Sequence, residues 1–440
     1  MLGIAPASAQ GLIRDAEIEG TLRAYAIPLF RAADLAPSDV RIYIVDSPSI
    51  NAFVAGGQNI YVHSGLVLAA QSPNEIIGVL AHETGHVAGG HLARSRVAMN
   101  RSIRPMLVSI GLGVLAIAAG APDAGAALIA GAYQFAMADF VGFTQVQESA
   151  ADQAGLSYLE TSGQSGSGLL TFFNDHLRPY EFMTQRMPAY MRTHPYSSDR
   201  VEALRQRVEA GEHREAVDSE ENLRRFRFMQ AKLVGFIQTQ SQTLARYPVS
   251  DTSAPARYAR AVAYYRASDL GRARSELGAL IADDPRNAYF QELMGQILFE
   301  NGRAMDAIPF HRRSVELAEN QPLLQINLAR ALTAAHAEAG AGEAIELLQA
   351  AIAHEPDNAF AWRELASAWD LRGEQGLAEL ASAEQNYALR QFGRAIYFAE
   401  RARRTIPPNT PSYQRANDIV MFAANQIDDG AARLQLARAQ

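Results

Sequence analysis

Apolar residues recur at helical spacing along most of this chain, and two stretches depart from that rule. In residues 12–35, Ile13, Ile18, Leu22, Ala26 and Leu29 share one face and predict an amphipathic helix. Short β-like runs follow at 41–45, 52–54 and 59–62. Gly56 and Gly57 separate the last two, which predicts a hairpin. These strands run directly into 72–98, where helical spacing returns. Ser72, Pro73 and Glu75 suit the N-cap, first and third positions of a capping box, and Ile76, Ile77, Val79, Leu80 and Ala81 make the segment largely buried. The second departure is 106–138. Two uncharged, Gly/Ala-rich runs, 106–121 and 124–138, are split by Pro122 and Asp123. Each is about 15 residues, short of the ~20 needed to cross a bilayer. The pair reads as a helical hairpin with three placements open: core, peripheral membrane contact, or short spanning helices.

Beyond it, 144–159 is helical, 161–168 is a Gly/Ser-rich loop, and an apolar helix lies around 169–173. Residues 178–200 carry Pro179, Pro188 and Pro195 among aromatics and read as a long loop of the kind that often carries function. A charged helical connector spans 201–246, and 247–256 is linker-like. The remainder repeats. Ala273, Ala307, Ala344 and Ala378 recur in Gly-Arg-Ala or similar settings, and Asp-Pro-Arg-Asn at 284–287 answers Glu-Pro-Asp-Asn at 355–358. A helix–turn–helix period near 34 residues with small residues at packing points is the tetratricopeptide (TPR) signature. It predicts four or five repeats between about 256 and 410, then a helical cap to Gln440, with a groove for peptides or partner proteins.

Composition adds limits. With 440 residues and 48% hydrophobic content the chain is globular, large enough for two or three domains. The net charge of −7 and the lack of a basic tract argue against nucleic acid as a partner. With no cysteine, any metal must be held by histidine and carboxylate. Ala7-Ser8-Ala9 is a small-x-small pattern, so 1–9 reads as the remnant of an export signal, with the mature chain starting near Gln10 outside the cytoplasm.

The candidate chemistry sits in the 72–98 helix, at His82-Glu83-Thr84-Gly85-His86, an H-E-x-x-H pattern. Residues four apart share a helix face, since each step turns about 100°. His82 and His86 can therefore bind one Zn²⁺, with Glu83 beside them as the general base for water. The third ligand is expected on the 144–159 helix, where Glu148 and Asp152 are four apart. A solvated acidic face is the plainer reading of such a pair, but two histidines still lacking a ligand favour Glu148 on the metal. Asp152 would then fix the tautomer of a ligating histidine. His91 is one residue short of the third position of the H-E-x-x-H-x-x-G-x-x-H pattern, where Leu92 stands. It is therefore excluded as a ligand and expected beside the ligands or on the surface. His194, held extended before Pro195, could reach the metal or a substrate oxyanion, though an exposed loop histidine is the plainer reading. The strands before the helix suit either a structural hairpin or an edge that takes an extended substrate. The fold expected is mainly α (α+β): a gluzincin-type metallopeptidase domain with a small β-sheet over 10–250, followed by a TPR α-solenoid over 256–440. The rival reading is a TPR adaptor or chaperone with a vestigial metal site.

The order of motifs resembles the beta-barrel assembly-enhancing protease family, related to the HtpX and CAAX-prenyl peptidases. Its carriers are Ile50-Asn51-Ala52-Phe53, 56–60, Val79-Leu80-Ala81-His82-Glu83, Gly85-His86, Gly89-Gly90-His91, Glu148-Ser149-Ala150-Ala151-Asp152, and Thr193-His194-Pro195 with Arg200. The resemblance implies a periplasmic zinc metalloprotease with His82, His86 and Glu148 as ligands of one Zn²⁺ and Glu83 as acid/base. It implies that His194 can occupy the fourth coordination position at rest. It also implies that the repeats engage outer-membrane assembly machinery or its clients in protein quality control.

Overall fold

A computed structural model describes residues 11–94, 143–180, 189–336 and 338–438. The export-signal reading of 1–9 and the apolar hairpin of 106–138 lie outside these residues. The chain divides into two compact units, Met1–Val234 and Gly235–Gln440.

The first unit is built on a four-stranded sheet in the order β1-β2-β4-β3. β2 (Arg41–Val45) runs parallel to β4 (Asn59–His63), and β3 (Ala52–Ala55) pairs antiparallel with β4 and forms one edge. Gly56 and Gly57, with φ of 61° and 103°, make the β3–β4 turn, where a side chain would be strained. The expected helix over 12–35 is shorter. Leu12 and Ile13 are instead strand β1, antiparallel to Val45 and Ile44. Asp15 then caps α1 (Ala16–Ala32) by accepting from the backbone N–H groups of Glu17 and Ile18. An aspartate at that point ends the strand and starts the helix, which apolar spacing alone does not register.

Strand alternation decides the faces. Ile42, Ile44, Ile60 and Val62 turn inward onto Ile18, Leu22 and Leu29 of α1 and Ile76, Ile77 and Leu80 of α3 (Pro73–Ala88), which follows the short helix α2 (Ser64–Ala69). Each such side chain, fully buried, contributes roughly 1.5–3 kcal/mol. The outward face carries a ladder of rings, Tyr43 on Tyr61 and Tyr61 on Phe53, at 5.3 and 5.2 Å.

α3 starts as expected, with Ser72 Oγ accepting from the Glu75 N–H. The reciprocal arm differs: Glu75 Oε1 accepts from the Gln71 N–H, and Oε2 meets His176 Nε2 at 2.9 Å. The helix over 143–161 crosses α3 at very short range. A Cβ on Gly85 would lie 2.7 Å from the Ala151 carbonyl oxygen, and one on Gly155 would lie 3.0 Å from the His82 nitrogen. Only glycine permits this approach, which sets the carboxylates of one helix against the histidines of the other. The stretch expected as a loop over 178–200 is partly helical, with a short helix Ala189–Thr193 and a second, Ser198–Ala210, capped by Ser197. Helices Glu220–Ile237 and Gln240–Arg246 complete the charged connector.

The second unit is helical throughout its described residues. Successive helices pair as 254–266 with 270–283, 288–300 with 304–317, 322–336 with 338–354, and 359–371 with 375–388, before 392–405 and a final helix, Pro411–Arg438. Ala273, Ala307, Ala344 and Ala378, picked out by period, are all buried where helices meet. Among the described residues, no helix is long and apolar enough to cross a membrane.

Candidate metal centre

The site rests on three elements of the first unit: α3, the 143–161 helix and the segment 189–200. α3 supplies His82, Glu83 and His86, all buried. The 143–161 helix supplies Glu148 and Asp152 one turn apart. The third segment supplies His194, whose backbone N–H donates to the Tyr190 carbonyl at 2.7 Å.

One donor atom from each of His82, His86, Glu148 and His194 falls within a 4.8 Å cluster, and all four residues are buried. His82 Nε2 is 3.0 Å from His86 Nε2 and 3.2 Å from His194 Nδ1. The Glu148 carboxylate meets His194 Nδ1 at 3.1 and 3.2 Å, His86 Nε2 at 3.3 Å and His82 Nε2 at 3.4 Å. Three imidazole nitrogens converging on one carboxylate, all from buried residues, form a donor set that suits a divalent cation with tetrahedral N/O preference. Both oxygens of Glu83 are buried and accept no hydrogen bond. A buried carboxylate with no hydrogen bond, and with only His194 Nε2 at 3.3 Å from Oε1, suits a proton-accepting role at such a centre.

Each histidine of α3 is oriented from behind. His82 Nδ1 donates to Asp152 Oδ1 at 2.8 Å, which leaves Nε2 facing the cluster. Arg200 holds Asp152 in turn, through Nε to Oδ2 at 2.7 Å and Nη2 to Oδ1 at 2.9 Å, and reaches Glu148 Oε2 at 3.2 Å. His86 is held by His91, their Nδ1 atoms 2.9 Å apart. His91 is therefore neither a ligand nor a surface residue: it is buried, its carbonyl accepts from Gln147, and it does for His86 what Asp152 does for His82. Its spacing excluded it from the metal and left a place beside the ligands or on the surface; it stands beside His86. Arg200 entered only as part of a resemblance, and Tyr190 was not singled out. Tyr190 is fully buried and stacks on the His194 ring at 4.5 Å between centroids.

Electrostatics follow from this packing. Burial pushes the Glu83 carboxyl up from the usual range. Burial also lowers the His86 imidazole to about 3. For His82, burial opposes protonation, but the hydrogen bonds to Asp152 and Glu148 outweigh it and the pKa rises to about 10. Burial would raise Glu148, yet His194, His82 and His86 together hold it far below the carboxylate range. Asp152 is lowered despite burial, by His82 and Arg200.

The 189–194 segment also lies along the sheet edge. The Tyr190 N–H donates to the Ile50 carbonyl at 3.3 Å, and His194 Nε2 meets the Ala52 carbonyl at 3.2 Å. Thr193 Oγ1 donates to Asn51 Oδ1. Because the His63 N–H donates to the Asn51 carbonyl, Asn51 faces β4 and its neighbours Ile50 and Ala52 face outward. The outward-facing carbonyls at the start of β3 are thus held by the same segment that delivers His194.

Residues 13–208 match peptidase family M48. The beta-barrel assembly-enhancing protease of Escherichia coli (strain K12) is 28% identical over 386 residues, covering 86% of this chain and 77% of that protein. That of Yersinia pestis is 28% identical over 354 residues, covering 79% and 71%. Metalloprotease LoiP of E. coli is 29% identical over 181 residues, covering 40% of this chain and 64% of its own. The first unit therefore carries a metalloprotease domain of peptidase family M48, in a chain similar over most of its length to beta-barrel assembly-enhancing proteases.

Proposed function

We propose that this chain is a zinc-dependent endopeptidase of the cell envelope that hydrolyses misfolded or stalled polypeptides during outer-membrane protein assembly. The observation that carries the reading is the buried Glu83 carboxylate, which accepts no hydrogen bond, beside four converging donors, His82, His86, Glu148 and His194. His82, His86 and Glu148 would hold one zinc ion per chain. When bound, zinc supplies Lewis acidity that brings a water to a pKa of roughly 7. Glu83 accepts the proton of the attacking water and returns it to the leaving amine as the C–O bond forms and the C–N bond breaks. Asp152, fixed by Arg200, and His91 keep the two imidazoles in register. His194 occupies the site at rest and gives way to substrate. The β3 edge, through the Ala52 carbonyl that His194 leaves, receives the substrate backbone as an added strand.

Placement in the periplasm is supported by the small-x-small pattern at 7–9 and by the named role of the relatives. The peptidase region would span 10–250 and the repeats 256–440, with the repeat helices docking clients or assembly machinery. The decisive experiment pairs Glu83→Gln with Glu148→Gln and measures bound zinc and cleavage of an unfolded model protein. Glu83→Gln is expected to keep zinc and lose cleavage by at least about 100-fold. Glu148→Gln is expected to lose both. Cleavage by Glu83→Gln at the wild-type rate would refute the mechanism, and wild-type protein without zinc would point to an adaptor.

A further inference from the structure

Tyr190 is the largest polar side chain in the metal centre to which the mechanism above gives no task. Its ring is fully buried, packed edge-on against Phe172 and Phe173 at 5.2 and 6.4 Å, and stacked on His194. Its hydroxyl has no hydrogen-bond partner. The Tyr190 ring also lies 6.3 Å from the His82 ring, tilted by 50°, so it stands against two of the converging histidines. The His194 imidazole lies against both Tyr190 and Glu83. It stacks on Tyr190, its Nε2 stands 3.3 Å from Glu83 Oε1, and the same nitrogen meets the Ala52 carbonyl.

A ring that only steadied His194 would need no hydroxyl. Phenylalanine would stack equally well, and a buried hydroxyl without a partner lowers the stability of the resting fold. The hydroxyl therefore serves a state other than the resting one. The His194 imidazole is a flat group whose N–H faces the outward carbonyl of an edge strand. A peptide unit of a bound substrate has the same shape and the same donor. Once His194 withdraws, a peptide unit in its place would lie beside Glu83 and against the Tyr190 ring.

We propose that the Tyr190 hydroxyl is a catalytic donor that hydrogen-bonds the scissile carbonyl oxygen as it gains negative charge. It acts in a slot that His194 fills at rest. This rests on the hydrolytic reading of the site. A donor preset against developing charge in a water-poor pocket favours the transition state over bound substrate. Its loss should appear in kcat and leave KM nearly unchanged.

The test is Tyr190→Phe in the full-length protein, alone and combined with His194→Ala. Expected for Tyr190→Phe are unchanged zinc content and an unfolding midpoint of the metal-free protein no lower than wild type. Its kcat should fall roughly 100-fold at similar KM. Affinity for a phosphinic peptide, a tetrahedral analogue, should fall by a comparable factor when measured by calorimetry. The same loss of kcat is expected in the His194→Ala background. A kcat within twofold of wild type overturns the proposal, as does an effect that disappears once His194 is removed, since the tyrosine would then act only by holding that ring. Wild-type protein that binds no zinc and cleaves nothing would overturn the hydrolytic reading itself, so the two failures are distinguishable.

Discussion

The metalloprotease unit and the repeat unit are both helix-rich, but they are held together over very different distances along the chain. In the repeat unit each helix packs mainly on the next, and one apolar core joins Ile326, Leu332, Ala344, Leu348, Ala361, Leu365 and Ala381. In the metalloprotease unit, His82 reaches Asp152 across 70 positions and His194 across 112, and Glu148 reaches His194 across 46. Local apolar packing needs only small residues at regular intervals. A buried polar cluster needs a partner for nearly every charge, and those partners come from wherever the fold brings them. The second unit is therefore written as a period, and the first as an appointment among distant residues.

The strongest way to break that appointment is at the helix crossing. Gly85 has the Ala151 carbonyl 2.7 Å from where its Cβ would stand, so backbone blocks any side chain there. Gly85→Val is expected to force α3 and the 143–161 helix apart and destabilise the metalloprotease unit by about 4 kcal/mol. Bound zinc should be lost with it, because Glu148 and Asp152 ride on the displaced helix. Scanning calorimetry should show the transition of the repeat unit unmoved. Retention of stoichiometric zinc by this variant would mean that the crossing does not set the centre.

How much was legible beforehand follows the same division. The repeat helices could be read because their signal is periodic and their partners are neighbours. Ala273, Ala307, Ala344 and Ala378 were visible as a series before any contact was known. His82, Glu83 and His86 were legible because one turn of helix fixes their geometry. Glu148 and Asp152 were legible because chemistry demanded a third ligand and a four-residue spacing offered one. Arg200's grip on Asp152 and the stacking of Tyr190 were not, since no local pattern marks an arginine or tyrosine that will meet the site only after folding, and for His91 the spacing left a place beside the ligands and a place on the surface equally open. The misplaced start of α1 has another cause. Leu12 and Ile13 fit helical spacing and a two-residue strand equally well, and pairing with β2, together with the Asp15 cap, decides the outcome.

His311 sharpens the comparison from the other side, because it is a buried titratable group inside the repeat unit. It is 2% exposed, its Nδ1 has no partner, and its ring fills the place where a Cβ on Gly295 would lie, 2.7 Å away. Burial, with Arg330 nearby, lowers its pKa to about 4. The unfolded chain takes up a proton near pH 6.5, whereas the folded repeat resists until about 4, so stability falls as pH drops through that window. The loss should reach about 3 kcal/mol by pH 4, and none of it should appear above pH 7. Urea unfolding of the repeat unit at several pH values checks this, with His311→Gln as reference. The variant should lack that part of the slope. An unchanged slope would mean that His311 gains a partner or a proton without disturbing the repeat.

The smallest expected effect applies the Gly85 change in milder form to a glycine in the repeat unit. Gly278, in the helix Leu270–Asp283, has nothing within 4 Å of where its Cβ would stand, while Ala273, Leu277 and Leu280 of that helix are buried. With no close neighbour to obstruct it, the glycine only loosens the helix, and Gly278→Ala should raise the stability of the repeat unit by roughly 0.5–1 kcal/mol. The urea midpoint should rise with the slope unchanged. The sign is opposite to that at Gly85 for one reason. At Gly85 a distant backbone occupies the space beside the helix, and at Gly278 none of the described residues does. A fall in stability for Gly278→Ala would mean that the outer face of this helix is engaged by another part of the repeat unit, and its core could then no longer be described by neighbouring helices alone.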